Sequence, residues 1–324
     1  MFTAEKMLEL FNQALVEHKI ERKPEGLYDP IRYVLSLGGK RIRPVLMLMA
    51  YNLYQEDVTP IMSQALAIET YHNYTLLHDD LMDRAEVRRG KPTVHKRWND
   101  NTAILSGDSM LVLAYQLMAD CPADKIKDVL SLFTETALEI GEGQQYDMDF
   151  ETRMDVTEAE YLEMIRLKTS VLLACALKIG ALLAGAPSAD ADRLYDFGEK
   201  VGLAFQLQDD FLDVYGDPEV FGKKIGGDIL CNKKTYMLIQ ALQLADSGQH
   251  ALLKSWLESK DYVPSEKIAA VTALYDQIGI KQVCDRKIND YFSQARQCLS
   301  EVDLPEEKKA CLWDFALSLL NRKS

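Results

Sequence analysis

Two short stretches hold the side chains best able to do chemistry: His78-Asp79-Asp80-Leu81-Met82-Asp83 and, far downstream, Gln208-Asp209-Asp210-Phe211-Leu212-Asp213. Both read DDxxD. Each closes an apolar-periodic run, 61–77 and 194–207, which predicts a position near the C-terminal end of a helix. The first and last aspartates of each copy are then i and i+4 neighbours, roughly 5 to 6 Å apart on one face, where like charges destabilise a helix. At an effective dielectric near 20 two such charges repel by about 3 kcal/mol, and the negative end of the helix dipole adds to the cost. A cation has to compensate. Three hard oxygen ligands with no His or Cys among them suit Mg²⁺, which keeps several waters and bridges carboxylates to a substrate phosphate. A solvated acidic helix end would account for one copy. Two copies, each behind an apolar run and each trailed by basic residues and glycines, favour the metal reading.

Basic clusters punctuate the same chain. In Gly38-Gly39-Lys40-Arg41-Ile42-Arg43-Pro44 a glycine pair opens a helix with three cations at its first turn. Free N–H groups, the positive dipole end and forked arginine donors together favour a phosphate there. Arg88-Arg89-Gly90-Lys91-Pro92 supplies a second basic turn that glycine and proline keep out of helix. Lys168 and Thr169 interrupt an otherwise apolar helix, and a glycine-rich stretch over 222–228, followed by 232–235, brings Lys223 and Lys233 after the second acidic motif in the manner of a lid. Two acidic motifs amid separate basic clusters imply a diphosphate substrate, and the apolar helices between them imply a greasy remainder. No Ser-His-Asp or Cys-His arrangement stands out, so ionisation driven by metal is the economical chemistry.

The elements that must position these groups read as helices almost throughout. Periodicity predicts helices over about 2–20, 28–37, 42–55, 60–83, 95–119, 124–149, 157–185, 189–214, 234–246, 249–258, 264–301 and 306–322, and an all-α fold. Thr157 with Glu160 is a capping-box signature. At 324 residues, 48 % hydrophobic and with no linker, the chain is expected to form one large helical bundle over 1–324. A net charge of −13 argues against nucleic acid as a partner. The six cysteines show neither CxxC pairs nor zinc spacing and are expected to be reduced, mostly core thiols. No apolar stretch is long enough for a membrane span, the longest being 171–186, broken by Lys178; the N-terminus opens an amphipathic helix rather than a signal peptide. A cytoplasmic location is expected.

GGKRIRP at 38–44, HNYTLLHDDLMD at 72–83, RRGKPTVH at 88–95, GD at 107–108, KTS at 168–170, FQLQDDFLD at 205–213, GKKIGGD at 222–228 and NKKTY at 232–236 occur in one order over nearly the whole chain. This set resembles the trans-isoprenyl diphosphate synthases, the polyprenyl synthetase family that includes farnesyl and geranylgeranyl diphosphate synthases. The resemblance implies a helical bundle around a deep central cavity, a homodimer, and several Mg²⁺ ions held against an allylic diphosphate. Asp79, Asp83 and Asp209 match its main metal ligands, supported by Asp80, Asp210 and Asp213. Lys40, Arg43, His72 and Arg89 match residues that hold isopentenyl diphosphate, and Arg88, Lys168, Lys223 and Lys233 those that hold the allylic diphosphate. Lys168, Thr169 and Gln206 match groups lining the site of the developing cation.

Product length follows from helix geometry if the growing tail runs from Asp79 back along its helix. At 1.5 Å per residue, Tyr74 lies about 7 to 8 Å and Tyr71 about 12 Å below Asp79, which favours C15 first and C20 second. The first motif lacks the two-residue insertion common in bacterial farnesyl synthases, so a longer-chain synthase stays open. A class I terpene cyclase would mix Asn, Ser and Glu in its second metal motif, and a non-catalytic partner subunit would have lost aspartates or the Lys-Thr pair. Neither pattern is present.

Overall fold

The computed structural model describes residues 2–217 and 225–320, and there the apolar-periodic runs become helices. The only strands among these residues, Val87–Arg88 and Lys91–Pro92, form one small antiparallel ladder, turned by Gly90 at φ +73°. The fold is all-α.

The chain gathers into two compact units. The first comprises Met1–Thr134, Cys175–Leu194 and Leu304–Leu312. It contains α1 (Ala4–Glu17), α2 (Glu25–Ser36), α3 (Ile42–Asn52), α4 (Met62–Met82), α5 (Val94–Arg97) and α6 (Asp100–Met118). Helix α3 is buried on every face from Pro44 to Asn52, which explains why its periodicity was a nearly continuous apolar run. Ile31, Val34 and Leu35 of α2 meet Leu77 of α4 and Ala103 and Met110 of α6 in one apolar cluster. The backbones close up further where glycine permits. A Cβ at Gly180 would collide with the Met47 carbonyl, so this glycine sets how near its helix lies to α3.

The second unit comprises Glu135–Ala174, Tyr195–Asp303 and Trp313–Ser324. Helices α7 (Ile126–Thr152), α9 (Val171–Leu183), α10 (Ser188–Tyr215) and α16 (Glu306–Leu320) contribute residues to both units. Within the second lie α8 (Glu158–Ile165), α11 (Gly227–Leu230), α12 (Tyr236–Leu244), α13 (Ser247–Glu258), α14 (Pro264–Ile278) and α15 (Ile280–Ser300). Tyr161, Leu203, Leu207, Met237, Val271 and Cys284 anchor its core. The Thr157/Glu160 capping box forms as expected.

Three expected helices are interrupted, each for a local reason. The run over 95–119 breaks at Trp98 and Asn99, where extended Asn99 caps the start of α6 by accepting the Thr102 N–H. The run over 264–301 breaks at Gly279, whose φ of +85° ends α14 while its N–H donates to the Tyr275 and Asp276 carbonyls. The run over 157–185 carries a five-residue π turn, Arg166–Ser170, between α8 and α9. The cysteines are all free, but only Cys175 and Cys284 are buried. Among the described residues no helix is long and apolar enough to cross a membrane.

Opposite responses are expected at two glycines. Gly180→Ala, which must push the Met47 backbone aside, should cost about 1 to 3 kcal/mol, whereas Gly26→Ala, with open space in α2, should stabilise by up to about 1 kcal/mol. Urea midpoints of the two variants check both signs.

Candidate functional site

Helix α4 ends at Met82, and Asp83 caps it by donating its N–H to the Asp79 carbonyl at 2.8 Å. The three aspartates here divide their work. Asp79 is half-buried and Asp83 exposed. Asp80, a hundred degrees round the helix from Asp79, is buried and receives Arg88 Nε on both oxygens, at 2.7 and 2.8 Å. Burial pushes its carboxyl pKa up and Arg88 pulls it back down. Just ahead of the motif, the His78 ring lies so close to α6 that a Cβ at Gly107 would collide with it.

The glycine loop before α3 is built from left-handed backbone: Gly38, Gly39 and Arg41 have φ of +78°, +142° and +50°. It brings a basic cluster together. Arg43 Nη1 lies 3.2 Å from His72 Nε2, and Arg89 Nη1 donates to the Gly38 carbonyl and lies 3.5 Å from Asn73 Oδ1. At φ +142° Gly39 has a backbone conformation that side chains rarely adopt, and the Arg89 guanidinium lies over it. Lys40 is exposed on the same loop. Burial pushes Arg43 down to about 10 and lowers Arg89. Burial, and then the charges of Arg43, Arg89, Arg88 and Arg41, push His72 well below 6.5, so its ring is neutral. Converging guanidinium groups beside a neutral imidazole form an anion site.

Arg41 departs from the expected trio of cations. It turns inward, buried, and pairs with buried Glu69 at 2.5 Å while its Nη2 donates to the Leu35 carbonyl at 3.0 Å. Glu69 also accepts from Asn73 Nδ2 at 2.9 Å, and Asn73 in turn neighbours Arg89. Glu69 and Asn73 were visible in sequence only as polar breaks in an apolar run. Tyr71 is buried between Tyr74 and Phe133, with ring centroids at 5.5 and 5.2 Å, and Tyr74 meets His78 edge-on at 4.9 Å. Phe133, from α7, completes this aromatic wall and carried no sequence signal.

The second motif, in the other unit, repeats the division. Asp209 and Asp213 are half-buried, whereas Asp210 is buried and accepts from Tyr161 Oη and, at 2.9 Å, from Gln206 Nε2. Burial pushes Asp210 up; the charge of Lys233 and the two donors pull it down. Thr169 Oγ1 donates to Gln206 Oε1 at 3.2 Å, so Thr169, Gln206, Asp210 and Tyr161 form one chain of hydrogen bonds. Asp213 is tied to the following loop: its Oδ2 accepts the Asp228 N–H at 2.9 Å.

The π turn places Lys168 and Thr169. It is gripped by close crossings on two sides, since a Cβ at Gly143 would collide with the Lys168 backbone and one at Gly202 would lie 2.6 Å from Ser170 Cα. Lys168 Nζ sits 2.5 Å from Asp147 Oδ2, a partner from α7 that sequence alone did not reveal. Arg166 is taken by Glu139, Glu163 and Glu199 at 3.3, 2.8 and 3.3 Å. Lys223 and the basic tail 321–324 lie outside the described residues.

Among the described residues no three His, Cys, Asp or Glu side chains are grouped to hold a metal by themselves. Each acidic motif, taken by itself, offers only oxygen donors, the kind that a hard cation takes together with water and phosphate.

The profile described as polyprenyl synthetase matches residues 24–277. A geranylgeranyl diphosphate synthase of Methanosarcina mazei is 43 % identical over 82 % of this chain and 87 % of its own. A geranylfarnesyl diphosphate synthase of Natronomonas pharaonis is 38 % identical over 97 % and 95 %. A crystal structure of a geranylgeranyl pyrophosphate synthase superposes with a TM-score of 0.96 at 45 % identity, covering 100 % of both chains.

Two measurements probe this geometry. Glu69→Ala strands a buried guanidinium and should cost about 3 to 5 kcal/mol, while the double change Arg41→Met/Glu69→Leu should recover most of that in urea unfolding. His72 is neutral in the fold but protonates below 6.5 when unfolded, so the unfolded chain binds the extra proton and stability falls as pH drops below 6.5. His72→Asn should remove up to about 1.4 kcal/mol per pH unit of that slope, read from urea midpoints at several pH values.

Proposed function

The chain belongs to the polyprenyl synthetase family, and from that premise we propose that it joins isopentenyl diphosphate head-to-tail to an allylic diphosphate, as a short-chain trans-prenyltransferase. The observation that carries this reading is the convergence of Arg43, neutral His72 and Arg89 on a loop of left-handed glycines, in the unit that also holds the α4 aspartates.

Lys40, Arg43, His72 and Arg89 hold isopentenyl diphosphate. Burial makes both arginines costly to charge without an anion, so the diphosphate relieves a penalty already built into the fold. Neutral His72 adds a directed hydrogen bond without another charge. Arg88, Lys168, Lys223 and Lys233 hold the allylic diphosphate. Asp79, Asp83 and Asp209 are the Mg²⁺ ligands, with Asp213 supporting. Bound Mg²⁺ supplies Lewis-acid stabilisation of the departing diphosphate.

The buried middle aspartates act as positioners. Asp80 fixes Arg88, and Asp210 holds Gln206 so that its Oε1 stays beside Thr169 Oγ1. Those two oxygens stabilise positive charge developing on the allylic fragment as its C–O bond breaks. Attack by the isopentenyl double bond forms the new C–C bond, and the proton lost next passes to the released diphosphate. With the diphosphate as acceptor, the step needs no strong base from a side chain.

Tyr74, braced against His78 and Tyr71, limits the tail. C20 is the main product and C15 the minor one, an order favoured by the geranylgeranyl names of the relatives at 43 % and 45 % identity. The chain acts as one polyprenyl synthetase domain, since the family match over 24–277 includes residues of both units. It pairs with a second copy of itself; Ile104, Leu105 and Val112 leave an exposed apolar strip on α6 that such pairing would cover.

Incubation with Mg²⁺, isopentenyl diphosphate and dimethylallyl, geranyl or farnesyl diphosphate should yield a C20 prenyl diphosphate, lost on adding EDTA. Absence of elongation from every primer by folded protein would reject the activity, and a hydrocarbon product would mark a cyclase. Tyr74→Ala should lengthen the product by at least one C5 unit, and Asp79→Asn should slow elongation by about 100-fold or more.

A further inference from the structure

Helix α14, in the second unit, carries a cation that none of these steps uses. Lys267 is fully buried, a state that lysine rarely adopts unless a carboxylate pairs with it. Among the described residues no carboxylate does: Lys267 Nζ donates to Asn232 Oδ1 at 2.7 Å and lies 4.3 Å from the centre of the Tyr262 ring. An ammonium held in the interior by one amide and one ring adds little to stability, since an apolar side chain of the same length would pack there with no charge to desolvate. Its role lies in what it holds.

Asn232 is the turning point of the segment behind the second acidic motif. Its φ of +54° is left-handed, a conformation that asparagine tolerates but does not enforce. Side-chain contacts enforce it here: Oδ1 accepts from Lys267, and Nδ2 donates to the Leu257 carbonyl at 3.0 Å. Tyr262, whose ring faces the ammonium, donates its hydroxyl to the Leu230 carbonyl at 3.3 Å, just ahead of the turn. Lys233 follows directly. Its N–H donates to the Asp228 carbonyl at 2.9 Å, and its carbonyl accepts the Thr235 N–H at 2.8 Å, so the turn at Asn232 fixes the direction in which Lys233 leaves the backbone. Asp228 is itself tied to Asp213 of the motif, and the charge of Lys233 reaches Asp210.

We propose that Lys267 is a positioning residue for the allylic substrate: by locking the left-handed turn at Asn232 it holds Lys233 toward the diphosphate at the second motif. The inference rests on the prenyltransferase reading above. Lys267 touches no substrate, being fully buried, and acts only through the Asn232 amide. Pre-setting the turn spares the diphosphate the entropy of ordering it, so the effect falls on allylic binding. The isopentenyl diphosphate residues Lys40, Arg43, His72 and Arg89 belong to the first unit and are outside its reach.

Equilibrium dialysis of geranyl diphosphate against the full chain, with Mg²⁺ and no isopentenyl diphosphate, measures the allylic site without turnover. Lys267→Met, which keeps the length and removes the charge, should weaken binding by about tenfold. Asn232→Gly, which permits the left-handed backbone but removes the amide, reads the same contact without altering the buried position and should weaken binding by a similar factor. The two changes together should weaken it no further than either alone, because both break one contact. In initial-rate assays the allylic KM should rise about tenfold in each variant while the KM of isopentenyl diphosphate stays at the wild-type value. A side chain that merely filled the core would shift the urea midpoint and leave that split unmoved. Equal geranyl diphosphate binding by wild type and both single variants, a rise shared by both KM values, or losses that multiply in the double variant would each overturn the proposal. Failure of wild type to elongate any primer, with geranyl diphosphate still bound and still weakened by Lys267→Met, would instead count against the prenyltransferase reading.

Discussion

Three carboxylates within five residues at the negative end of a helix repel one another, and much of the described site is arranged around that repulsion. The same solution occurs twice. The middle aspartate of each motif is drawn into the interior and satisfied there, Asp80 by the Arg88 fork and Asp210 by Tyr161 and Gln206. Removing one charge inward leaves two outward in each motif, which is the number a hydrated divalent cation shared with a diphosphate can accommodate. The inward aspartates also serve as rigid handles: each fixes the direction of a neighbour, Arg88 or Gln206.

A buried pair plays the corresponding part for the cations. Arg41 and Glu69 pair in the interior behind the glycine loop, and the Asn73 amide links them to Arg89. Such a pair adds little net stability compared with an apolar replacement, because desolvating both charges offsets their attraction. What it provides is orientation. The loop itself holds an arginine in left-handed backbone at φ +50°, and that strain is tolerated where a side chain is locked at both ends.

Around Lys168 the fold uses close contact in place of charge. A π turn lets the backbone slip by one residue, and Gly143 and Gly202 let α7 and α10 approach it closely enough to hold the slip in place. Lys168 is thereby paired with Asp147, which keeps an ammonium group in readiness without leaving it unpaired in a partly buried setting.

Read from the sequence alone, the all-α class, the positions of both acidic motifs at helix ends, the capping box at Thr157 and the ordered family motifs were all legible. Each depends on residue type at short, fixed spacing, and helical geometry converts that spacing directly into position. The break at Gly279 and the π turn at 166–170 were not, because one glycine or one inserted residue changes the backbone without disturbing an apolar count. Nor did spacing distinguish Arg41, which faces Glu69, from Arg43 two residues on, which faces His72. Asp147 beside Lys168, Tyr161 beside Asp210 and Phe133 beside Tyr71 are partners distant in sequence, and only packing brought them there. The sequence determined which chemistry was available, since carboxylates, guanidinium groups and glycines declare themselves by type. Tertiary structure decided which of them point inward to hold and which outward to bind, because that choice depends on burial and on partners far away along the chain.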